Sequence, residues 1–292
     1  MDRFVALLFS GITDGAITAL AAVGLLVLYK ATRIINFAHG DLITLGAFLD
    51  VWLVSDQGWG YVPGTITAMG IMVAVGVAME RVAVAPLRGK SVHVVVIATL
   101  GLGLAIRTLI AQWQGNDPRR LPSPVQGDST SVLGATINHH RFLIVVVAVA
   151  CLAGVFLFFA RTRYGRQLRA LAADRDMAQL AGVRVGALSM GAFGASAAVA
   201  GLCGMLLAPL SAAELTLGFA VMLNAFAAMI IGGFGSVGGV VLAGLLIGVV
   251  ERVVGGYVLT DYSSALPFVV MIGAIALRPE GIFGAQQDAA RF

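Results

Sequence analysis

Apolar runs about as long as a bilayer is thick recur along this whole chain, and no other feature constrains its fold more. Candidate spans cover 4–28, 35–54, 61–80, 92–112, 142–160 and 187–210. A Gly-interrupted apolar region at 215–254 follows, and then a last run at 263–277. About 20 apolar residues, rising 1.5 Å each along a helix, cross a hydrocarbon core of roughly 30 Å. The composition agrees: 59% of the residues are hydrophobic and only 12% charged, against about 25% charged in soluble domains. The 37 glycines suit close packing between membrane helices better than a soluble core. The expected fold is an all-α polytopic membrane protein with about eight or nine crossings.

The net charge of +4 and the pI near 9.4 do not mark a nucleic-acid partner, because the basic residues sit in short loops between spans. Lys and Arg accumulate on the cytoplasmic side of membrane proteins, so the loops report orientation. Residues 161–186 carry Arg161, Arg163, Arg166, Arg169, Arg175 and Arg184 and are placed in the cytoplasm. The turn at Lys30 and Arg33 and the loop 81–91 (Arg81, Arg88, Lys90) then also fall inside. The loop 113–141 falls outside despite Arg119, Arg120 and Arg141, as does the N-terminus. Arg278 closes the last span in the cytoplasm. The first run is too long for a signal-peptide core and reads as a retained span. Cys151 and Cys203 lie inside apolar runs as small hydrophobes. The longest polar stretches are too short for an independent core, so residues 1–292 form a single transmembrane domain.

Three enzyme-like motifs fail on context. Gly89-Lys90-Ser91 ends like a phosphate-binding loop, but Val84 stands where that pattern needs Gly, and no strand precedes it. Gly233-Phe234-Gly235-Ser236-Val237-Gly238 spells a dinucleotide fingerprint between two membrane-length apolar runs, where a strand and a helix are required. It reads instead as a Gly-rich break at 231–240, which either joins two full crossings or belongs to a re-entrant element plus one crossing. Asn36-Phe37-Ala38-His39-Gly40-Asp41 opens the second span, with Asn36 as a helix cap and Asp41 near the favourable dipole end. His39 and Asp41 are two positions apart and face away from each other on a helix, which makes them poor acid–base partners. The four histidines form no metal-ligand pattern. Arg107, inside the fourth span, is expected to snorkel to the interface. Glu80-Arg81 and Glu251-Arg252 read as neighbouring charges at a membrane boundary.

The longest polar stretch, GRQLRALAADRDMAQLAGVRV at 165–185, has an internal pattern. Residues 166–173 are good helix formers. Asp174 is positioned to cap a second short helix running to Ala181, with Asp176 in its first turn and Gly182 as its stop. Ala173, Met177, Leu180 and Ala181 share one small apolar face. Such a helix either docks into a groove on another protein or lies on anionic lipid, and the residues alone leave both open.

Asp176-Met177-Ala178 with Gly182 resembles the E-A-A-x-x-x-G coupling loop of ABC-importer permeases, with Asp for Glu and Met for the first Ala. The surrounding RTRYGRQLRALAADRDMAQLAGVRV is similar to the branched-chain amino acid (LIV-type) permease family. So are INFAHGDLITLGAF at 35–48, AFAAMIIGGFGSVGGVVLAGLLIGVVER at 225–252 and LRPEGIFG at 277–284. The resemblance implies a multi-pass permease of the bacterial inner membrane, paired with a homologous second permease, two cytoplasmic ATPases and an extracytoplasmic solute-binding protein. It implies no enzyme activity and no cofactor in this chain, since ATP and Mg would bind in the ATPases. Asp174, Asp176, Met177, Ala178, Leu180 and Gly182 would form the ATPase contact within the coupling loop 161–186. Asn36, His39, Gly40 and Asp41, with Gly232, Gly233, Gly235, Ser236, Gly238 and Gly239, are the expected translocation path. Branched-chain or other hydrophobic amino acids are the expected cargo, although the family also carries urea, short amides and other small solutes. An autonomous secondary transporter or channel is the alternative from another class. It calls for ion-coupling acids in mid-span, which are few here.

Overall fold

A computed structural model of the chain describes residues 2–125, 130–132, 135–257, 265–278 and 281–282. It is built from α1 (Asp2–Thr32), α2 (His39–Val51), α3 (Tyr61–Met79), α4 (Val92–Gln114), α5 (His139–Arg161), α6 (Arg163–Ala173), α7 (Arg175–Leu180), α8 (Val185–Ser211), α9 (Leu217–Gly232), α10 (Val237–Tyr257) and α11 (Leu266–Leu277). Among the described residues, 6 helices are long and apolar enough to cross a bilayer: α1, α3 with its extension to Leu87, α4, α5, α8 and α10. α9 and α11 are apolar but shorter, and α2 gains one further π-helical turn at Trp52–Asp56. The only strands described are β1 (Thr130–Val132) and β2 (Ala135–Ile137), a small antiparallel ribbon in the loop before α5. Among the described residues the chain is thus polytopic and all-α apart from this ribbon.

Two of the expected spans start differently. Residues 35–38 are not helical. There the Asn36 Oδ1 accepts from the Ala38 N–H at 3.1 Å, and the Asn36 carbonyl accepts from the His39 N–H at 3.2 Å. This local turn competes with the helix, and Ala38 rather than Asn36 is the N-cap of α2. The region 215–254 resolves into two helices joined by a tight turn at Gly233–Ser236. α9 has only 16 residues, about 24 Å at 1.5 Å per residue, less than a hydrocarbon core. The irregular backbone precedes α9, at 212–216, with Ala212 at φ 59°. The start of the expected last span, 263–264, lies outside the described residues, as do 279–280 and 283–284 of the LRPEGIFG block.

The chain divides into two compact units, one of Met1–Leu26, Val125–Leu152 and Met222–Phe292, the other of Val27–Pro124 and Ala153–Val221. In the first, α1 and α10 touch backbone to backbone. A Cβ added to Gly15 would meet the Leu245 carbonyl oxygen at 2.8 Å, and one on Gly248 would meet the Gly15 nitrogen at 2.2 Å. Small residues permit the close approach that replaces hydrophobic drive inside lipid. Asp14 of α1 accepts from Arg252 of α10, while Asn224 Nδ2 of α9 donates to Glu251 Oε2 at 2.9 Å. Glu251 and Arg252 therefore serve two different neighbours rather than each other. The same holds in the second unit, where the fully buried Glu80 pairs with Arg88 rather than with Arg81. A carboxylate this deep needs a partner that reaches it, and adjacent residues on a helix point apart.

The second unit is built around α8. Of its apolar window 72% is buried, against 22% for α4, which faces outward. α2 lies against α8 through Gly46 and Gly204, where added Cβ atoms would stand 2.3 Å from the Gly201 Cα and 1.9 Å from the Ile43 carbonyl oxygen. At one end Phe48, Val51, Ile110 and Leu121 form a buried cluster with Ala208 and Ala213. There Arg119 grips Asp56 through two hydrogen bonds of 2.8 and 2.6 Å. These bonds to the carboxylate raise the pKa of the guanidinium above its ordinary value. Backbone bonds between Arg119 and Ala213 (2.9 and 2.7 Å) join the two loops.

Candidate functional site

The polar segment folds as a pair of short helices whose ends are locally determined. α5 turns into α6 at Thr162, and in the first turn of α6 a Cβ on Gly165 would strike the Phe158 carbonyl oxygen at 2.3 Å. Thr162 caps α6 by accepting from the Gly165 N–H at 2.9 Å. Leu168 and Leu171 are buried while Arg163, Arg166 and Arg169 stay exposed. Asp174 separates the helices and caps α7, its Oδ1 accepting from the N–H groups of Asp176 and Met177, both at 3.0 Å. The far end closes in a Schellman arrangement, with Val183 N–H to the Ala178 carbonyl (3.0 Å) and Gly182 N–H to the Gln179 carbonyl (2.9 Å). Gly182 sits at φ +81°, a conformation that glycine adopts without a Cβ penalty. The caps expected at Asp174 and Gly182 are thus present, and α6 begins three residues earlier than expected, at Arg163.

Exposure sorts the residues of α7. Leu180 is 83% and Met177 64% exposed, whereas Ala178 is only 4% exposed. Ala173 and Ala181 are exposed as well, so the expected apolar face is open. Ala178 turns inward and seats the helix. A hydrogen bond from Arg33 to the Ala172 carbonyl holds the end of α6 to the turn after α1. Both are segments that the distribution of basic residues assigns to the cytoplasm.

Cap loss has a definite local signature. Replacing Asp174 by Ala removes the acceptor for two amides and costs about 1 kcal/mol of local helix stability. Hydrogen exchange followed by mass spectrometry is expected to show Asp176 and Met177 exchanging roughly fivefold faster, with the membrane helices unchanged and Asp174→Asn close to wild type.

The polar start of α2 is a second cluster, inside the second unit. Asn36, His39, Thr44, Thr99 and Ser196 are each 1% exposed or less, and Asp41 is 7% exposed. His39 Nδ1 lies 3.4 Å from Ser196 Oγ on α8. Asp41 points the other way, to α4, where Arg107 donates from Nε at 2.9 Å and Nη2 at 2.8 Å. The opposed directions of His39 and Asp41 match the helical spacing. Arg107 differs from expectation: it pairs with Asp41 instead of snorkelling, because a desolvated carboxylate attracts it more strongly than the interface does. Gly103 makes room for this pair, since a Cβ there would stand 2.3 Å from Asp41 Oδ2. The start of α9 meets the same cluster, with the Gly218 N–H donating to Thr44 Oγ1 at 3.1 Å and a Cβ on Gly218 only 1.9 Å from the Gly40 carbonyl oxygen. Arg107, Thr99, Ser196 and Gly218 complete the cluster beyond the residues expected from the sequence. Of these, only Arg107 carries a local signal, a charge deep in an apolar run.

Gly232–Gly239 lies in the first unit as a packed turn. Gly232 approaches the Val240 Cα, where a Cβ would stand at 2.5 Å. Ser236 Oγ accepts from the Gly239 N–H at 3.0 Å and caps α10, and the Ile282 N–H donates to the Ile231 carbonyl at 2.8 Å. Gly235 and Gly238 face open space. Gly89-Lys90-Ser91, between a 3-10 turn and α4, likewise follows no strand.

Apolar helices of bilayer length, with polar groups gathered in their interior and a short capped helix pair between α5 and α8, define a multi-pass membrane protein. Residues 7–275 match the family model described as the branched-chain amino acid transport system / permease component, and the chain belongs to that family. It is 30% identical to the high-affinity branched-chain amino acid transport system permease protein LivH of Salmonella typhimurium, over 96% of each chain. The permease protein BraD of Pseudomonas aeruginosa is 32% identical, covering 95% of this chain and 94% of that relative. The probable LivH of Methanocaldococcus jannaschii is 25% identical over 94% and 92%. These relatives are transport permeases, not enzymes.

Proposed function

We propose that this chain is the translocation subunit of an ATP-driven importer of branched-chain or other hydrophobic amino acids in the bacterial inner membrane. In this reading it pairs with a homologous permease, receives cargo from an extracytoplasmic binding protein and is driven by two cytoplasmic ATPases that hold the ATP and Mg. The observation that carries the reading is α7, which presents Met177 and Leu180 to solvent while its ends are fixed by Asp174 and Gly182. Burying a side chain of this kind contributes about 1.5–3 kcal/mol, so the two supply a compact anchor for an ATPase groove. Asp176 flanks that anchor, and Ala178 braces it from behind. Nucleotide-dependent closure of the ATPases would move α7 with α6, and transport is coupled only if the two permease states differ in energy with that movement.

Asn36, His39, Gly40 and Asp41 are assigned to the translocation path. α2 begins there after irregular backbone, and buried polar side chains of α2, α4 and α8 gather around that start, as polar groups at membrane depth do along a transport path. The glycines of 232–239 act chiefly in the α9–α10 turn, with Gly235, Ser236 and Gly238 at its surface.

The decisive experiment places a charge on the anchor. Leu180→Glu should reduce leucine uptake and ATPase co-purification by roughly tenfold or more, as expected for an unpaired charge in an apolar contact, with membrane insertion and elution profile unchanged. Undiminished uptake and association would refute the docking role of α7. Uptake of urea or a short amide, but not leucine, would move the substrate assignment within the family.

A further inference from the structure

The first unit gathers four charges on α1, α5 and α10 that the transport reading leaves without a task. They lie beside the N-terminal half of α1 and the start of α5, on the side that the basic loops assign to the outside. Asp14 of α1 accepts from Arg252 of α10, and the two neutralise each other. Arg141 of α5 comes only to 3.9 Å from the other Asp14 oxygen, and its Nη1 is buried without a hydrogen bond. Glu251 turns to α9, where it accepts from the neutral Asn224 amide. Among the described residues it has no ion pair. One cation and one anion are therefore incompletely partnered beside a satisfied pair.

Packing holds these groups together. Phe142, next to Arg141, meets Phe9 of α1 with ring centroids 4.6 Å apart. A Cβ on Gly11, less than a turn before Asp14, would stand 2.8 Å from the Val249 Cα. The side chains of Asp14, Arg141 and Arg252 are partly exposed, whereas α1 is buried at every position from Gly15 to Leu26. Charged groups do not face hydrocarbon, so the accessible surface that ends at Asp14 is aqueous.

We propose that this cluster binds the charged head of an α-amino acid on the extracytoplasmic side, its carboxylate on Arg141 and its ammonium on Glu251. A guanidinium suits a carboxylate through paired hydrogen bonds. An inorganic anion would complete Arg141 but be repelled by Glu251, and a simple cation would meet the reverse; a zwitterion satisfies both. That the ligand is an amino acid rests on the importer reading above.

The test follows the melting temperature of the purified full-length protein as leucine, leucinamide (no carboxylate) or 4-methylpentanoate (no ammonium) is titrated. Leucine should bind at least tenfold more tightly than either analogue, as expected from the loss of one charge-assisted hydrogen bond. Arg141→Gln should weaken leucine about tenfold and leave leucinamide unchanged. Glu251→Gln should weaken leucine similarly and leave 4-methylpentanoate unchanged. Arg141→Lys, which keeps the charge but not the planar fork, should fall between wild type and Arg141→Gln, with the elution profile intact. Equal binding of all three compounds, no leucine binding, or wild-type affinity in both glutamine variants would overturn the proposal. Leucine uptake by cells separates the two readings. Unchanged uptake in both variants ends the zwitterion site and leaves the importer standing, whereas a wild type that takes up urea but no leucine ends the amino-acid reading itself.

Discussion

Gly204→Val should yield almost no monodisperse protein, whereas Gly191→Val on the same helix should leave yield and melting temperature near wild type. The contrast comes from packing alone. A Cβ at Gly204 would stand 1.9 Å from the Ile43 carbonyl oxygen and 2.8 Å from the Ala47 nitrogen, while one at Gly191 meets nothing within 4 Å. α2 would have to retreat by roughly 1.5 Å to restore ordinary separation. That shift would also pull Gly46 away from Gly201 and loosen the cluster around Phe48. Overpacking in a well-filled interior costs about 1–3 kcal/mol even where side chains can give way, and here the obstacle is backbone. Fluorescence-detected size exclusion of the two variants, expressed in parallel, decides the matter. Recovery of Gly204→Val at wild-type levels would mean that α2 and α8 are not packed as described.

Arg107→Met is the second large effect, and its rescue is the informative part. Removing Arg107 strands the Asp41 carboxylate, which is 7% exposed. Breaking a buried ion pair costs about 3–5 kcal/mol, and the estimate falls to about 2–3 kcal/mol for an arginine that is partly solvated. Asp41→Asn combined with Arg107→Met removes both charges and should restore most of the melting temperature. If Asp41 also serves the translocation path, the double variant should fold yet transport poorly. Full uptake by a stable double variant would confine the pair to a structural role. Failure of the double variant to recover stability would show that the two side chains are not coupled.

The features legible in the sequence were those decided within a few residues. Asp174, Gly182 and the good formers of 166–173 determine their helices through bonds spanning two to five positions, so the polar segment 165–185 is legible without any knowledge of packing. The expected spans 4–28, 61–80, 92–112, 142–160 and 187–210 coincide with long apolar helices, because bilayer thickness sets the length of such a run. The expected span 35–54, by contrast, is cut short to His39–Val51 by the turn at Asn36. The Asp41–Arg107 pair joins residues on two different helices, and nothing near Arg107 distinguished it from a snorkelling arginine. The irregular stretch at 212–216 was also hidden. Ala212 and Ala213 are favourable helix residues, and it is the backbone pairing of Ala213 with Arg119 and the crowding of Gly218 against Gly40 that accompany the break there. The inward turn of Ala178 belongs to the same class. An alanine on a six-residue helix does not announce which side will be covered.

The glycine contact between α1 and α10 has a consequence for how the chain is made. Gly15 waits for Gly248, so this crossing cannot close until nearly the whole polypeptide has left the ribosome. The unit of Val27–Pro124 and Ala153–Val221 has all of its residues available earlier. Synthesis from the N-terminus therefore leaves the grooved face of α1 unoccupied by its native neighbour for most of translation, to be shielded meanwhile by lipid or by the insertion machinery. Truncations ahead of α10 should accordingly retain the later-closing unit in an open, protease-sensitive form, and the birth order of the helices becomes part of how the transporter is assembled.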